Sequence, residues 1–552
     1  MLSLLRLVER LTKLTGTGCN MPNKPLQAVS LTSPGYFGLN NQDSGVTLNP
    51  AFATQAYNAV IDKSGRIGAR KGWAYSTTSG GTSSAPKAIF EFDNSDGTYT
   101  IISAGNAKLF TGETTMTERF VRDSTDANNL AYTISANNWQ IVQAQYDSGL
   151  DVSPHAYLIQ KNQATLVYHK TGTGHAHTGA FGFQRLGDVG NVPTGYTTTT
   201  FTPNCGLSAF GRLWLADIDE DRLTVYYSAL LDASNFTGVG SGFINLEQVV
   251  GGGDKIVGLV EHNNFLIIFC ERNIVIYANA DNIDTLQLQD VIVGVGCIAR
   301  DSVQVIGTDV LFLSNSGIRS LGRTIQEKSV PMRDMTKNVR DQFMTVVAGE
   351  NKDQIRSVYH EAEAFYLINL PGANFTFCLD VRSFLEDGSA RTTIWDTINP
   401  GSFCSTRNRR LLLGQANGIA TYTGYQDNGN SYNFSYFTPY IDFGDASVTK
   451  ILKKIIVTIV GASNTALDIK WAFDYNSNYQ TYSVTTSNIP VAEYGIAEYG
   501  IAEYVSSAFI EQIKGQLSGS GNIIQIGVEA LIDGTQLSLQ KLDIYSVVGR
   551  TI

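Results

Sequence analysis

Short apolar runs, each followed by a turn and a second apolar run, recur along the chain. Between Asp309 and Arg323 the sequence places Val-Leu-Phe-Leu before an Asn-Ser-Gly turn and a further apolar stretch. A continuous apolar run of this length is typical of a strand that is buried on both faces. Asn, Ser and Gly suit the tight turn of a hairpin. The pattern therefore predicts a β-hairpin in this segment.

Six further segments repeat this pattern and are predicted to form hairpins of the same kind. They are Ile101–Gly112, Ala156–Lys170, Arg212–Ser228, Phe265–Ala278, Ala364–Val381 and Arg410–Gly424. Successive second strands are about 43 to 59 residues apart, close to the length of a propeller blade with loop insertions. One hairpin cannot bury both of its faces, whereas a ring of four-stranded blades can. The spacing predicts an irregular β-propeller.

The pattern changes after Gly424. A polar, turn-rich stretch is followed by segments in which apolar and polar residues alternate with a period of two. These segments are Phe437–Asp445, Lys450–Ile459, Leu467–Phe473, Ile523–Ala530 and Leu537–Ser546. Alternation is typical of strands with one buried face, so we predict a C-terminal β-sandwich. The predicted fold class is all-β, with the propeller at residues 27–430 and the sandwich at residues 431–552.

Residues 1–26 differ in character from the rest and are predicted to form a helix and a link. Apolar residues recur there at helical spacing: Leu4, Leu7, Val8, Leu11 and Leu14. This pattern predicts an amphipathic helix, and the charges between the apolar positions exclude a secretion signal. The helix either docks on a neighbouring subunit or belongs to an extension upstream of a second candidate start at Met21. Whether Met1–Asn20 is an authentic segment therefore stays open.

Two internal segments depart from the strand pattern. Asp334–Gln354 is the one internal stretch with helical character, and in a propeller it would be an insertion on the rim. Ala492–Tyr504 repeats Ala-Glu-Tyr with a five-residue period, which fits neither a helix nor a strand. We interpret this repeat as a projecting loop with aromatic contacts, such as a partner-binding lip, or as a tandem duplication in a tolerant loop.

Composition supports a β-rich globular chain and limits its partners. Apolar residues make up 43% of the 552 residues and charged residues only 16%, so a large core is available and solvated helical faces are few. The formal net charge is −10, whereas a protein that grips nucleic acid needs clustered Lys and Arg. An acidic wall is compatible with a conduit along which DNA slides. No apolar run approaches the roughly 20 residues that a membrane-spanning helix needs.

The cysteines predict thiols rather than disulfides or metal ligands. They are Cys19, Cys205, Cys270, Cys297, Cys378 and Cys404, and no two form a C-x-x-C pair. Cys270 and Cys378 lie inside apolar strand runs. Buried free thiols fit assembly in a reducing cytoplasm.

Several motifs, taken in order, resemble those of one protein family. They are Asn58, Gly65 and Arg70–Trp73 (Arg-Lys-Gly-Trp), then Gly211–Ala216 (Gly-Arg-Leu-Trp-Leu-Ala), Val225–Ser228, Asn235–Phe236 and Gly317–Leu321. Their order and spacing over roughly residues 27–424 are similar to those of the tail nozzle proteins of short-tailed bacteriophages, also called tail tubular protein B. Lys71 stands where the family often has Pro. The C-terminal segment resembles the terminal sandwich of phage tail proteins, which often ends with a Gly-Arg pair, here Gly549–Arg550.

The resemblance implies a structural virion protein rather than an enzyme. It implies a homohexameric tail nozzle that docks below a head–tail adaptor, supports tail fibres, and encloses and gates the DNA ejection channel. Double-stranded DNA would pass through the lumen without sequence-specific binding, and the protein would be located in the virion tail after assembly in the host cytoplasm. The family has six blades and the hairpins number seven, so we expect six or seven. Either one hairpin belongs to an insertion or one blade closes with N-terminal strands.

Two patterns resemble metal and cofactor sites only superficially. His169, His175 and His177 are close in sequence, but no acidic or Cys ligand stands at ligand spacing. Gly294–Ala299 matches a dinucleotide fingerprint, which must open a helix. The segment from Ser302 onward alternates like a strand instead. We predict no cofactor and no metal at either place.

A third pattern, the acidic triplet Asp217, Asp219 and Asp221, begins like a calcium loop. The sixth position of that loop requires Gly and the twelfth requires Glu, but here they are Arg222 and Ser228. We therefore predict an acidic hairpin tip between two strands.

Carboxylates are the remaining candidates for catalysis, because some propellers hydrolyse glycosides with two acids a few ångströms apart. Asp380, Glu386 and Asp387 are the candidates, and their alternative role is that of solvated loop acids. We predict no catalytic residue. The alternative function is a receptor-binding or polysaccharide-degrading phage tail protein. A third alternative is a propeller glycosidase, which would be favoured if the purified protein released sugar from host capsule and lost that activity on Asp380→Asn.

Overall fold

The computed structural model describes the chain from residue 26 to residue 549, with internal gaps. The described ranges are 26–82, 84–105, 107–122, 128–134, 139–147, 152–168, 182–307, 309–327, 334–488 and 510–549. The predicted amphipathic helix, Cys19, the three histidines of the candidate metal cluster, the repeat at 492–504 and Arg550 lie outside these residues. No helix in the described part is long and apolar enough to cross a membrane.

Strands dominate the described chain and are numbered here in chain order. The N-terminal strands are β1 (Gln27–Thr32), β2 (Gln55–Tyr57), β3 (Ala59–Ile61), β4 (Ile67–Ala69) and β5 (Trp73–Tyr75). The next two sheets contain β6 (Ala88–Asp93), β7 (Tyr99–Gly105), β8 (Lys108–Thr111), β9 (Thr117–Arg119), β10 (Val121–Arg122), β11 (Trp139–Asp147), β12 (Val152–Gln160), β13 (Leu166–Tyr168) and β14 (Phe183–Arg185). The following two contain β15 (Cys205–Ala209), β16 (Arg212–Ile218), β17 (Asp221–Tyr227), β18 (Gly242–Asn245), β19 (Ile256–His262), β20 (Phe265–Cys270), β21 (Asn273–Ala278) and β22 (Gln287–Val293).

The later strands complete the propeller and form the C-terminal region. They are β23 (Gln304–Ile306), β24 (Asp309–Ser314), β25 (Gly317–Ser320), β26 (Arg356–His360), β27 (Phe365–Leu370), β28 (Phe375–Asp380), β29 (Arg391–Trp395), β30 (Phe403–Ser405), β31 (Leu411–Gln415) and β32 (Gly418–Tyr422). The C-terminal strands are β33 (Tyr432–Phe437), β34 (Lys450–Gly461), β35 (Ala466–Phe473), β36 (Gln480–Thr485), β37 (Ile510–Gln516), β38 (Ser520–Gly521), β39 (Ile524–Ile532) and β40 (Leu537–Val548). The helices are α1 (Leu186–Val189), α2 (Glu247–Val250), α3 (Leu321–Glu327) and α4 (Arg340–Gly349).

The β-propeller predicted from the sequence is confirmed. In the described residues, blades 1 to 4 are β6–β9, β10–β14, β15–β18 and β19–β22, and blades 6 and 7 are β26–β29 and β30–β32 with β5. These six blades have four or five strands, and blade 5 has three, β23–β25, followed by α3. Each of the seven predicted hairpins supplies the second and third strands of one blade, counted outward from its inner strand.

Blade 7 closes the ring with an N-terminal strand. β5 pairs antiparallel with β32, in a register that places Trp73 opposite Tyr422 and Tyr75 opposite Ala420. The inner strand β30 of this blade contacts β6 of blade 1. Of the two alternatives that the sequence left open, closure by an N-terminal strand is therefore the one observed.

The predicted C-terminal β-sandwich is also confirmed. One of its sheets has the order β3-β4-β40-β34-β37, with β1 on β40 and β38 on β34. The other has the order β2-β33-β39-β35-β36. The sandwich therefore takes strands from both sides of the predicted boundary at residues 430/431, because β1, β2 and β4 pair with strands of the C-terminal region.

The sandwich and the propeller share one sheet and one hydrophobic core. β29 of blade 6 pairs with β2 through Tyr57 and Ile394, and β2 pairs with β33, so that sheet runs from the blade into the sandwich. The helix predicted at Asp334–Gln354 is present as α4, with short 3-10 turns on both sides. Its Phe343 is buried against Phe377 of blade 6, with ring centroids 4.9 Å apart. The same core cluster contains residues of blades 5 and 6 and of both sandwich sheets.

Candidate functional site

The Arg-Lys-Gly-Trp motif lies where the N-terminal segment, blade 7 and the sandwich meet. Arg70 is fully buried and forms two parallel bonds to Asp427, Nη1 to Oδ1 at 2.9 Å and Nη2 to Oδ2 at 2.7 Å. Its Nε donates to Oδ1 of Asn58 at 3.1 Å, and its guanidinium lies 4.1 Å from the centre of the Tyr432 ring. A buried cation with a bidentate carboxylate and an aromatic face fixes the directions of all three partners. We call these four residues the Arg70 junction.

Asn58 extends the Arg70 junction to blade 6 and to the sandwich. Its side-chain amide donates to Asp396 Oδ1 at 2.6 Å and to the backbone oxygen of Asn433 at 2.7 Å. Its backbone N–H donates to the oxygen of Ile394 at 2.7 Å. The residue has φ +49°, a left-handed conformation that Asn tolerates better than most side chains. Asn58 and Arg70 stand at opposite ends of the β3–β4 hairpin and are hydrogen-bonded to each other. This contact explains their separation in the sequence motif.

One glycine of this motif adopts the conformation that a turn requires, and another permits a close contact between two backbone segments. Gly65 has φ +75° in the turn between β3 and β4. A Cβ on Gly72 would lie 1.9 Å from the backbone oxygen of Gln426, so only Gly fits there. The next residue, Trp73, donates its backbone N–H to that same oxygen at 3.0 Å.

The second motif ties the strands of blade 3 together. Nη1 of Arg212 donates to the backbone oxygens of Ser228 and Gly240, both at 2.7 Å. Oγ of Ser228 accepts from the N–H of Leu213 at 3.0 Å. Trp214 is fully buried, and its indole N–H donates to Ala209 at 3.1 Å. These residues therefore hold β16, β17 and the following loop in place.

The third motif has the same kind of role in blade 5. Gly317 has φ +135°, and a Cβ there would lie 2.5 Å from Oγ1 of Thr336. Arg319 donates from Nε to the hydroxyls of Ser314 at 3.1 Å and Ser316 at 3.0 Å, which closes the β24–β25 turn. The motifs that carry the resemblance thus stabilise the architecture.

A cavity of about 460 Å³ lies on the propeller axis, between the inner strands of six blades. Four of its lining residues are charged: Lys87, Arg300, Asp301 and Arg356. Arg300 donates to both carboxylate oxygens of Asp301, at 2.7 and 2.9 Å, and Nη1 of Arg356 lies 3.0 Å from Asp301 Oδ2. Burial alone would raise the pKa of Asp301, but the two guanidiniums hold it below its ordinary value.

This axial cavity does not form a passage for DNA. The major groove of a B-form duplex is by itself about 12 Å wide, so a duplex needs far more room than the cavity provides.

The structure confirms the predicted acidic hairpin tip at the end of blade 3. Arg222 lies 3.6 Å from Asp217 and also pairs with Asp219. Asp221 instead accepts a hydrogen bond from the hydroxyl of Tyr226 at 2.7 Å. Burial raises the pKa of Asp217 above its ordinary value. Across the described residues, no three His, Cys, Asp or Glu side chains are grouped so that they could hold a metal ion.

The strand that was predicted after the dinucleotide-like motif is present. Gly294–Ala299 leads into a short 3-10 turn, Arg300–Ser302, and then into β23. A Cβ on Gly296 would lie 2.4 Å from the backbone oxygen of Cys270. This glycine therefore permits a close contact between two backbone segments.

Two of the candidate carboxylates are engaged in ion pairs. Asp380 is 1% exposed and pairs with Arg382 at 2.7 Å and with Arg391 at 3.0 Å. Asp387 pairs with Lys337 at 2.8 Å. Burial acts to raise the pKa of Asp387, but hydrogen bonds from Lys337 and Ser389 lower it to about 2. Asp380 is therefore not a solvated loop acid, which was the alternative role considered for it.

The described cysteines are buried free thiols, as predicted. They are Cys205, Cys270, Cys297, Cys378 and Cys404. Burial raises the pKa of Cys297 to about 11 and that of Cys404 to about 12. Neutral thiols at these positions behave as small apolar side chains.

The axial charges are the residues that sequence analysis missed. Lys87 precedes β6, Arg300 opens the 3-10 turn that leads into β23, and Arg356 is the first residue of β26. The sequence indicated these charges only through a basic residue near the beginning of the first strand of several blades. This indication was weak because the inner strands are short and their apolar and polar residues do not alternate, so the strands are hard to locate in the sequence.

The fold and these contacts define the chain as a β-propeller protein with a fused β-sandwich. No protein-family model and no curated protein sequence matches it. Among solved structures, the WD40 domain of Neurospora crassa Pan2 aligns at 9% identity over 61% of this chain and 89% of that chain, with a TM-score of 0.32. The AfRom2 CNH domain aligns at 12% identity over 55% and 90%, with a TM-score of 0.29. TmCBM61, solved in complex with β-1,4-galactotriose, aligns at 11% identity over 25% and 70%, with a TM-score of 0.14. None of these similarities bears on the function of this chain.

Proposed function

We propose that the chain is the subunit of a tail nozzle of a short-tailed bacteriophage. Six copies form a ring below the head–tail adaptor, support tail fibres, and enclose and gate the channel through which the DNA leaves. The protein has no catalytic role and is located in the virion tail. The proposal rests on the order of the motifs, together with a propeller and sandwich of the kind that the resemblance implies.

The Arg70 junction is the observation that carries the proposal furthest. A nozzle must keep its parts in a fixed relation while a pressurised genome passes through it. Arg70, Asn58 and Asp427 bind three parts of this chain to one another through buried, charge-assisted bonds. The contribution of this motif to a joint between parts of the chain supports the proposal of a rigid nozzle subunit.

The size of the axial cavity and the net charge support a lumen between subunits. The propeller axis of one subunit is too narrow for a duplex, so the ring supplies the channel. With a net charge of −10, the chain carries an excess of acidic residues, which reduces phosphate binding and favours sliding over retention.

Electron microscopy and mass measurement of the purified chain, alone and mixed with a head–tail adaptor, test the proposal. We expect a six-fold ring with an open axial hole that is wide enough for a duplex. The adaptor alone is the control for rings that do not contain this chain. A chain that stays monomeric with and without the adaptor would overturn the proposal.

A further inference from the structure

We propose that the axial cavity of the propeller binds a compact multivalent anion, a solute with two or more phosphate or carboxylate groups. The inference does not depend on the nozzle function, because it concerns one subunit. It rests on the charge balance of the cavity, on an unused donor in its wall and on its size.

The cavity wall has a surplus of positive charge. Lys87, Arg300 and Arg356 line it and carry three positive charges, whereas Asp301 supplies one negative charge. The nearby carboxylate of Asp353 pairs with Lys161 at 2.6 Å and also attracts Arg300 and Arg356, though less strongly than Asp301 does. Confined charges are normally neutralised by a partner, because burial of an unpaired charge is costly.

Lys87 is the least compensated of these cations. It is half-buried, and within the described residues no carboxylate lies within 4 Å of its ammonium group. Burial and the nearby Arg356 both lower its pKa, which shows that the surroundings disfavour the charged form. An anion in the cavity would offset both effects, because it stabilises the charged form of Lys87.

Arg356 offers an unused donor next to Lys87. Its Nε donates to the backbone oxygen of Lys87 at 3.3 Å, and Nη1 donates to the oxygens of Asp353 at 2.7 Å and Ile355 at 2.9 Å. Nη2 donates to none of the residues that the structure describes. A guanidinium held on one side by the backbone, with a free N–H on the other, is suited to phosphate or carboxylate oxygens.

The dimensions of the cavity favour a small solute over a macromolecule. Its volume of about 460 Å³ lies within the range of roughly 300 to 1,000 Å³ that is usual for small-molecule sites. Six blades contribute to its wall, so an anion bound there connects strands of blades that are distant in sequence. An anion that binds the folded chain and not the unfolded chain must raise the stability of the propeller.

Thermal unfolding and calorimetry of the full chain test the proposal. In dilute buffer free of phosphate, we expect pyrophosphate or citrate to raise the Tm along a saturating curve. Sodium chloride at matched ionic strength should not do so. A larger effect of pyrophosphate would assign a phosphate ligand, and a larger effect of citrate a polycarboxylate. Equal shifts with chloride, or no shift with either anion, would overturn the proposal.

Lys87→Met is the decisive variant, and Lys108→Met is its matched control in the same blade. Lys108 is half-exposed and pairs with Glu118 at 2.6 Å. Without added anion, Lys87→Met should unfold at the same or a higher temperature than the unmodified chain, because it removes an uncompensated charge. Its anion affinity should fall about tenfold or more, as expected for loss of a charge-assisted bond.

Two further outcomes keep the test decisive. Unchanged anion affinity in Lys87→Met would overturn the proposal. A lower Tm of this variant in anion-free buffer would also overturn it, since Lys87 would then have a structural partner. Lys87→Arg keeps the charge and should retain most of the affinity, whether or not Lys87→Met can be purified. Loss of affinity in Lys87→Arg equal to that in Lys87→Met would contradict a charge-based site.

Discussion

At the scale of single residues, Arg70 shows what a fully buried charge requires. Its bonds to Asp427 and Asn58, and the ring of Tyr432, replace the water that the guanidinium loses on folding. Such a pair adds less stability than its geometry suggests, because desolvation offsets the attraction. Removing one partner is far more damaging, because the other remains buried and unpaired.

Arg70→Met should therefore lower the free energy of unfolding by about 3 to 5 kcal/mol, and Asp427→Asn by a similar amount. The double variant should lose less than the sum, since no charge remains unpaired. Equilibrium denaturation of the unmodified chain, the two single variants and the double variant measures this coupling. Arg407→Met is the control, because Arg407 pairs with Asp93 on the surface and should cost less than about 1 kcal/mol. Additive effects at Arg70 and Asp427 would contradict the account.

The effect of an Asp380 substitution on stability distinguishes a structural role of this carboxylate from a catalytic one. Asp380→Asn should lower the free energy of unfolding by roughly 3 kcal/mol, because it leaves the buried Arg391 without its carboxylate. Glu386→Gln is the control, since Glu386 is exposed and should change stability little. Thermal unfolding of both variants measures the difference. An Asp380→Asn protein of unchanged stability that had lost an activity on polysaccharide would favour the enzymatic alternative.

At the scale of elements, the hairpins could be predicted and the long-range pairings could not. The seven hairpins are local, so their turns and apolar runs stand next to each other in the sequence. β5 consists of three residues and pairs with β32, about 350 residues away, so no local pattern marks it. β1 to β4 were assigned to the propeller range for the same reason. The cluster of axial charges could not be predicted, because it forms only when the inner strands of different blades meet at the propeller axis.

Gly72 tests how far blade 7 depends on β5. Gly72→Ala places a methyl group within 1.9 Å of the Gln426 oxygen, so β5 must shift away from its partner. We expect faster hydrogen exchange in β5 and β32 and a loss of about 1 to 3 kcal/mol, the usual cost of overpacking. Gly253→Ala is the matched control, because nothing lies within 4 Å of its added Cβ. Exchange in β5 and β32 that is equal in the two variants would show that the ring does not need this closure.

At the scale of the whole molecule, the hydrophobic cores explain how the propeller and the sandwich are connected. Residues of adjacent blades form separate clusters, such as the one between blades 3 and 4. The largest cluster instead joins blades 5 and 6, α4 and both sandwich sheets. The continuous sheet from β29 through β2 to β33 reinforces this joint. We therefore expect the propeller and the sandwich to move as one body, as the proposed nozzle subunit would require.

Native-state hydrogen exchange at low denaturant measures whether that joint is cooperative. Amides of β28 in blade 6 and of β39 in the sandwich should exchange through one opening, with the same free energy and the same denaturant dependence. Amides of β16 and β20 belong to a different cluster and serve as the internal comparison. Arg70→Met should lower the opening free energy of β28 and β39 together, because Asn58 of the Arg70 junction donates hydrogen bonds to β29 and β33, which lie between them in the shared sheet. If β39 opened at lower free energy than β28 in both proteins, the sandwich would be an independent domain, and the rigid-subunit basis of the nozzle proposal would fail.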